Sequence, residues 1–237
     1  MPDIAKLLEL AELFHTTVDE LLGEKSELVE SAARGELEKY LKDNPISSEE
    51  ICNAAPILKP DQMTVVLESQ KEIDISELNC ILPFLNEDAV DKILIKAAEE
   101  GRYNELHIFA PFASEAVITD IAYRLIEKGE NITLIAPFVS ETDMDKISLM
   151  LYQKSGINEL KKVAPFISDE QLRQFADLEY ASNGLCGLSP IAPFLDSDYL
   201  NELAKKAVRK DGIKAISCIA PFLDSDVLSE WVKEVYL

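Results

Sequence analysis

A proline recurs along this chain at nearly constant intervals, and this repeat restricts the possible fold more than any other feature. The successive intervals are 27, 28, 26, 28, 28 and 28 residues. The prolines of the series are Pro56, Pro83, Pro111, Pro137, Pro165, Pro193 and Pro221. A fixed period of this length indicates a fold that is built from copies of one supersecondary unit.

The residues around each proline repeat as well. Ile-Ala-Pro-Phe occurs three times, and close variants occur in three further copies. We predict that the phenylalanine of each copy belongs to a buried aromatic ladder between stacked units. The repeated residues are Pro83, Phe84, Pro111, Phe112, Pro137, Phe138, Pro165, Phe166, Pro193, Phe194, Pro221 and Phe222.

Each copy also carries the signals of a helix start. A residue that can cap a helix stands three positions after the proline, and acidic residues follow it, where they suit the positive end of the helix dipole. The predicted caps are Asn86, Ser114, Ser140, Ser168, Asp196 and Asp224. Apolar residues then recur at helical spacing, which predicts a first helix of about 14 residues.

A glycine in most copies predicts the end of that first helix. A shorter second helix should follow, such as Ile157–Ala164 or Ile213–Ala220, and the next proline should end it. In the copy at Pro165 we expect a shortened or distorted second helix, because Gly184, Gly187 and Pro190 interrupt it. One hairpin cannot bury its apolar stripe alone, so neighbouring hairpins must stack. The predicted fold class is all-α, an α-α superhelix (solenoid) of roughly 28-residue hairpins.

This layout resembles the stacked helical-hairpin arrays of the HEAT, armadillo and tetratricopeptide families over residues 26–237, at the level of architecture. Its unit is shorter than the usual period of those families. The resemblance implies a concave face that binds an unknown protein, peptide or small effector. Residues 28–55 fit a degenerate first unit, with one helix from about Ser26 to Lys42 and a second helix, capped by Ser47 or Ser48, through Ala54.

The N-terminal residues 2–22 have a different pattern, with Leu7, Leu10, Ala11 and Phe14 at helical spacing before a turn at His15. This run resembles the last two helices of a Cro/phage-repressor-type (XRE-like) helix-turn-helix domain. The resemblance implies that residues 1–25 are the remnant of a bacterial regulator domain whose recognition helix is absent from this sequence. Two explanations stay open: the natural protein starts upstream of Met1, or the gene has lost its DNA-binding half.

The charge of the chain excludes some partners. Asp and Glu number 44 against 23 Lys and Arg, so the formal net charge is −21. Such a chain repels phosphate backbones and anionic lipid, so we expect no direct nucleic-acid binding and no membrane binding. The sequence shows no membrane span and no signal peptide, which predicts a cytoplasmic, reduced protein. Its four cysteines contain no CxxC pair, and we expect them to be small apolar packing residues: Cys52, Cys80, Cys186 and Cys218.

No catalytic or metal-binding motif stands out. Neither His15 nor His107 has a partner at metal-ligand spacing. The two PFLDSD runs are interpreted as caps and first-turn acids rather than as a cation site. We therefore predict no enzyme activity, no cofactor and no metal.

The sequence favours a non-enzymatic interaction array, a sensor or scaffold, that belongs to a helix-turn-helix transcriptional regulator. The alternative is a free-standing scaffold without a regulatory role. A HEAT-like DNA-repair enzyme is the least favoured hypothesis, because no segment supplies a basic channel. Both a monomer and a homodimer fit the sequence.

Overall fold

The computed structural model describes residues 4–18, 26–69, 79–226 and 228–229. These residues form α-helices, 3-10 helices and turns and contain no strand, which confirms the all-α prediction. Residues 19–22, the end of the repressor-like run, lie outside the described residues. So does the region near Trp231, where the sequence predicts that the last copy stops after its first helix and caps the array. None of the described helices has the length and apolar character needed to cross a membrane.

The α-helices of the described residues are α1 (Ile4–Leu13), α2 (Glu27–Arg34), α3 (Leu37–Asp43), α4 (Ser48–Ala54), α5 (Pro60–Ser69), α6 (Glu87–Glu99), α7 (Leu106–Phe109), α8 (Glu115–Lys128), α9 (Glu141–Ser155), α10 (Ile157–Leu160), α11 (Asp169–Asn183) and α12 (Ser197–Asp211). The chain divides into two compact units, Met1–Val117 and Ile118–Leu237. The boundary expected between residues 25 and 26 stays a prediction.

In the first unit, the single helix expected from Ser26 to Lys42 is instead two helices, α2 and α3. Gly35 ends α2 in the left-handed conformation, with φ of 74°, and donates its backbone N–H to Ala32 O. Glycine adopts this conformation without steric cost, so the helix stops there. Ser47 caps α4 by accepting a hydrogen bond from Glu50 N, as expected.

The described part of the repressor-like segment is α1 and the turn after it. Ala11 is buried, whereas Leu13 and Phe14 are 70% and 64% exposed. His15 has φ of 52° in the turn and is exposed. The apolar stripe that the sequence placed on this helix is therefore largely uncovered within the first unit.

The second unit shows the repeat most regularly. Each of α9, α11 and α12 has 15 residues, close to the expected length. The glycines that follow them have positive φ, and each donates its N–H to the carbonyl four residues earlier, at Tyr152, Tyr180 and Val208. These glycines end the first helices, as the sequence indicated.

The second helices are shorter than predicted. Instead of Ile157–Ala164 there is α10 with four residues, and instead of Ile213–Ala220 there is a 3-10 helix, Ile213–Ile216. The copy at Pro165 has a 3-10 helix at Leu185–Leu188, which is short as expected. The next copy, at Pro193, has a 3-10 helix of the same length, so a short second element is not peculiar to the Pro165 copy. The residues before each proline form turns with i+3 hydrogen bonds, which leave no room for a full α-helix.

Candidate interaction surface

Every clear repeat places its proline and phenylalanine in the same tight turn. The residues Ala-Pro-Phe, or Leu-Pro-Phe in the first copy, form a 3-10 helix just before the cap of the next first helix; we call it the Pro-Phe turn. In the turn of Pro193, Phe194 N donates to Ile191 O at 2.9 Å and Leu195 N donates to Ala192 O at 3.3 Å. Proline fits the middle of this turn because neither bond needs its missing N–H.

The Pro-Phe turn sorts its side chains between core and solvent. In the Pro193 turn, Ile191 and Ala192 are buried at 0% and 2% exposure, and Leu195 at 8%. Pro193 is exposed and Phe194 is half-buried. The same sorting recurs in the second unit at Pro137 and Pro165. At Pro221 the proline is also exposed, but Ala220 is half-buried and Phe222 is exposed.

The predicted phenylalanine ladder is therefore wrong. Phe112 and Phe222 are 39% and 37% exposed, and the other four rings of the set are only half-buried: Phe84, Phe138, Phe166 and Phe194. In the turns of the second unit, the inside is already filled by the isoleucine or valine two residues before the proline and by the residue after the phenylalanine. A tight turn cannot point every apolar residue inward, so the ring stays at the surface.

Side-chain caps follow the turns. The side chains of Asn86, Ser140, Ser168 and Asp196 accept hydrogen bonds from the backbone N–H three residues later. Ser114 Oγ accepts a longer bond, of 3.4 Å, from Val117 N. At the last cap, Asp224, the backbone carbonyl accepts from Leu228 N at 3.0 Å. These bonds satisfy donors that a helix start leaves open.

A second set of bonds joins each cap to the preceding repeat, and the sequence analysis missed it. Counting the proline as position one, the residue at position nine contacts the cap 23 residues later. Asp145 Oδ1 accepts from Ser168 N at 2.9 Å, and Asp145 Oδ2 accepts from Ser168 Oγ at 2.6 Å. Asp91 makes the same two contacts with Ser114, at 2.7 and 2.6 Å.

The chemistry at position nine changes with the cap. Where the cap is Asp196, position nine is Arg173, whose guanidinium lies 3.5 Å from the carboxylate. Where the cap is Asp224, position nine is Asn201, which donates from Nδ2 to Oδ2 at 2.6 Å. Position nine is thus an aspartate where the cap of the next repeat is a serine, and a side chain with N–H groups where that cap is an aspartate. The fixed spacing of 23 residues is the sequence signal that could have revealed these pairs.

One copy lacks this link. Position nine of the Pro111 copy is Thr119, and its hydroxyl is buried without a hydrogen-bond partner in the described structure. The cap that follows, Ser140, instead donates to Asp143 Oδ2 at 3.1 Å. Hydrogen bonds from Lys146 and Ser140 lower the pKa of the Asp143 carboxyl. This cap is therefore held by its own helix.

Basic residues favour the last turns of the first helices, whereas acids follow each cap. The first turns, next to the Pro-Phe turns, carry acids: Glu87, Asp88, Glu115, Glu141, Asp143, Asp169, Glu170 and Asp198. The last turns, next to the glycines, carry bases: Lys96, Lys128, Lys154, Arg209 and Lys210. This order suits the helix dipole. It also makes the Pro-Phe ends of the helices acidic.

An aromatic and charged cluster lies beside one of these ends. The Tyr199 hydroxyl donates to Asp177 Oδ1 at 2.7 Å, and the Arg173 guanidinium lies 5.4 Å from the centre of the Tyr199 ring. Burial, and then the hydrogen bond to Asp177, raise the pKa of Tyr199 well above its ordinary value. Arg173 therefore contacts a carboxylate, Asp196, and an aromatic ring together.

A buried carboxylate joins α9 to α11. Glu179, which is 7% exposed, accepts from the Tyr152 hydroxyl at 2.8 Å and from Asn183 Nδ2 at 2.7 Å. A Cβ at Gly187 would lie 2.8 Å from Asn183 Cβ and 3.1 Å from Glu179 Oε2, so glycine fits closely here. Burial raises the pKa of Tyr152. Because all these partners are internal, the cluster is structural.

The cysteines are paired, which contradicts the prediction that they are reduced packing residues. Cys52 is bonded to Cys80 and Cys186 to Cys218, with Cα–Cα distances of 5.7 and 5.3 Å. All four side chains are exposed or half-buried. The separations of 28 and 32 residues are close to one repeat period, so equivalent regions of neighbouring repeats meet. The period together with the cysteine positions could have indicated these pairs.

The remaining candidate residues are not brought together. His15 and His107 are exposed. In the part of the chain that the structure describes, no three His, Cys, Asp or Glu side chains are grouped as metal ligands, the acids of the PFLDSD runs included. The residues with a repeated surface position are those of the Pro-Phe turns.

Comparisons of the chain with protein-family models, with curated proteins and with solved structures find no match.

Proposed function

We propose that this chain is a non-enzymatic interaction protein, a solenoid of helical hairpins that contacts a macromolecular partner through its Pro-Phe turns. One observation carries the proposal. In the turns of the second unit, proline is exposed and phenylalanine is half-buried or exposed, although other residues already fill the core beneath them. Large apolar side chains that recur at the surface mark interaction sites, and aromatic residues dominate the energetics of interfaces.

The bonds between neighbouring repeats support the solenoid part of this proposal. Position nine of one repeat contacts the cap of the next at Asp91, Asp145, Arg173 and Asn201. Each contact spans one hairpin of sequence, as nearest-neighbour stacking in a repeat array requires. Within each compact unit these bonds hold the linked turns beside one another, so a partner meets preformed turns.

The proposal is tested by capturing partners with variants of the exposed rings. Phe112→Ser and Phe222→Ser change the two most exposed phenylalanines of the turns, whereas Leu178→Ser changes a 53% exposed leucine on α11 and serves as the control. A partner captured from a lysate is identified, purified and titrated against each variant by calorimetry. We expect the phenylalanine variants to weaken binding at least about tenfold and the control to bind normally. Equal affinity for all three variants would contradict the proposal.

We propose a role in a transcriptional regulator as the setting of this interaction. It is supported by the resemblance of residues 2–22 and by the exposed Leu13 and Phe14, the kind of surface that the other half of such a domain covers. The alternative, a free-standing scaffold, predicts a stop codon directly upstream of Met1 in the gene. Under both hypotheses this acidic chain alone binds no operator DNA. A sequence-specific shift in a gel assay with the purified chain would refute that.

The cytoplasmic location stays a prediction. Two disulfides are typical of an oxidising compartment. Alkylation of free thiols in intact cells, followed by mass spectrometry, tests the prediction directly. Four alkylated cysteines would support a reducing compartment, and four protected cysteines would contradict it.

A further inference from the structure

We propose that the last two Pro-Phe turns dock a cationic segment of the partner, one that combines arginine with an apolar or aromatic residue. This inference rests on the proposed function and adds the chemistry of the partner. The site consists of residues 193–198 and 221–226, which both read PFLDSD; we call them the twin turns. Both lie in the second compact unit.

The twin turns are fixed beside each other. Asn201 on α12 donates to the Asp224 carboxylate at 2.6 Å and accepts from Asp224 N at 3.4 Å. The disulfide between Cys186 and Cys218 joins the two segments that lead into these turns. A surface held by a covalent bond and by two hydrogen bonds loses little freedom when a partner binds, which favours affinity.

The surface of the twin turns combines aromatic rings with carboxylates. Phe222 is 37% exposed and Phe194 is half-buried, while Leu195 and Leu223, each 8% exposed, anchor the turns from below. Each run adds two aspartates within four residues of its ring and contains no lysine or arginine. A guanidinium suits this surface because it pairs with carboxylates and stacks on aromatic faces.

The chain itself shows how such a guanidinium sits. Arg173 lies 3.5 Å from the Asp196 carboxylate and covers the Tyr199 ring at 5.4 Å. At the equivalent position of the next repeat the chain has Asn201, which carries no charge. Asp224 accepts a hydrogen bond from the neutral amide of Asn201, and among the described residues neither it nor Asp198 or Asp226 forms an ion pair. A cationic side chain from a partner therefore pairs with the carboxylates of the second turn, as Arg173 pairs with Asp196 at the first turn.

The charge of the chain favours the same class of partner. A body with a net charge of −21 attracts a basic segment and repels nucleic acid and anionic lipid. Electrostatic attraction of this kind raises the rate of association and depends on salt. Binding through the twin turns should consequently weaken as the ionic strength rises.

The test measures the fluorescence anisotropy of a fluorescein-labelled peptide that alternates Arg-Phe pairs with Ser-Gly spacers, titrated with the full chain. The site variant is Asp198→Asn with Asp226→Asn. The control, Glu127→Gln with Asp211→Asn, removes the same charge from exposed residues at the opposite helix ends. Further probes are Phe222→Ser, and a peptide in which glutamate replaces arginine.

We expect saturable binding of the Arg-Phe peptide that falls at least about tenfold for the site variant and for Phe222→Ser, and less than about twofold for the control. The glutamate peptide should not bind. Equal losses for site and control variants would show unspecific charge attraction and overturn the proposal. Absence of saturable binding would overturn it as well, and so would micromolar binding of calcium alone to these aspartates.

These outcomes separate the two proposals. If the Arg-Phe peptide fails but a captured protein without a basic segment depends on Phe112 and Phe222, the interaction function stands and the cationic partner is wrong. If neither the peptide nor any captured protein depends on these rings, the Pro-Phe turns are not an interaction surface at all.

Discussion

The contact between Asp145 and Ser168 allows a quantitative test of how neighbouring repeats hold together. The carboxylate accepts two bonds, from Ser168 N at 2.9 Å and from Ser168 Oγ at 2.6 Å, and both groups are partly buried. A hydrogen bond to a charged group contributes about 1.5–3 kcal/mol, and partial exposure favours the lower end. Asp145→Ala should therefore lower the free energy of unfolding by about 2–3 kcal/mol.

A double-mutant cycle isolates the contact itself. Ser168→Ala removes the bond from Oγ and also the cap bond from Gln171 N, at 3.1 Å, so it should cost about 2 kcal/mol. Because both single variants lose the bond between the side chains, the double variant should cost about 1 kcal/mol less than the sum. Asp120→Ala, which breaks only an exposed pair with Arg124, should cost under about 0.5 kcal/mol.

Urea unfolding followed by circular dichroism at 222 nm gives these energies. Variants that keep the slope of the wild type and differ only in the midpoint report stability. If Asp145→Ala costs no more than Asp120→Ala, or if the two changes of the cycle add within about 0.3 kcal/mol, the bond does not join the repeats as argued.

The remaining predictions concern the rings, the disulfides and pH. Phe175→Ala, at a fully buried ring, should lower the free energy of unfolding by about 3–5 kcal/mol. Phe194→Ala, at a half-buried ring, should lower it by about 1–2 kcal/mol. Equal losses in urea melts would mean that the Phe194 ring is buried after all, as the ladder predicted. In a Cys52→Ser/Cys80→Ser background, reduction of the bond between Cys186 and Cys218 should lower the unfolding free energy by about 3–4 kcal/mol, since it closes a loop of 32 residues; an unchanged melt on adding reductant would argue against the bond. Because the pKa of Tyr199 is raised by burial, the folded chain keeps a proton that the unfolded chain releases near pH 10, so stability falls as the pH rises above about 10. Absorbance titration at 295 nm of the native chain and of Tyr199→Phe should show one fewer late-ionising tyrosine in the variant, and identical curves would contradict this.

Local signals predicted the start of each repeat well. A capping side chain, a following acid and a turn with proline act within a few residues, so the sequence displays them directly. The long first helices α9, α11 and α12 follow from these signals, and so do their glycine ends. The expectation of a single helix over residues 26–42 was wrong because Gly35 ends the first of two helices there. The apolar residues on both sides of Gly35 keep helical spacing, so their pattern alone does not show the break.

The candidate surface depended on information that a single repeat does not contain. The burial of Phe194 is set by Ile191, Ala192 and Leu195, which compete for the inside of the same turn. Composition alone cannot decide this competition, because all four residues are apolar. The bonds from position nine to the caps and the cysteine pairs connect different repeats, and they emerge only when positions one period apart are compared.

The most direct test of the central claim maps the bound Arg-Phe peptide on the chain by amide chemical shifts in ¹H–¹⁵N spectra. Our account predicts saturating shifts at the amides of Phe194, Asp198, Phe222 and Asp226, and unchanged shifts at Asp211 at the other end of α12. Shifts that centre on Asp211, or that scatter over the acidic surface without saturating, would contradict the assignment of the Pro-Phe turns as the interaction surface.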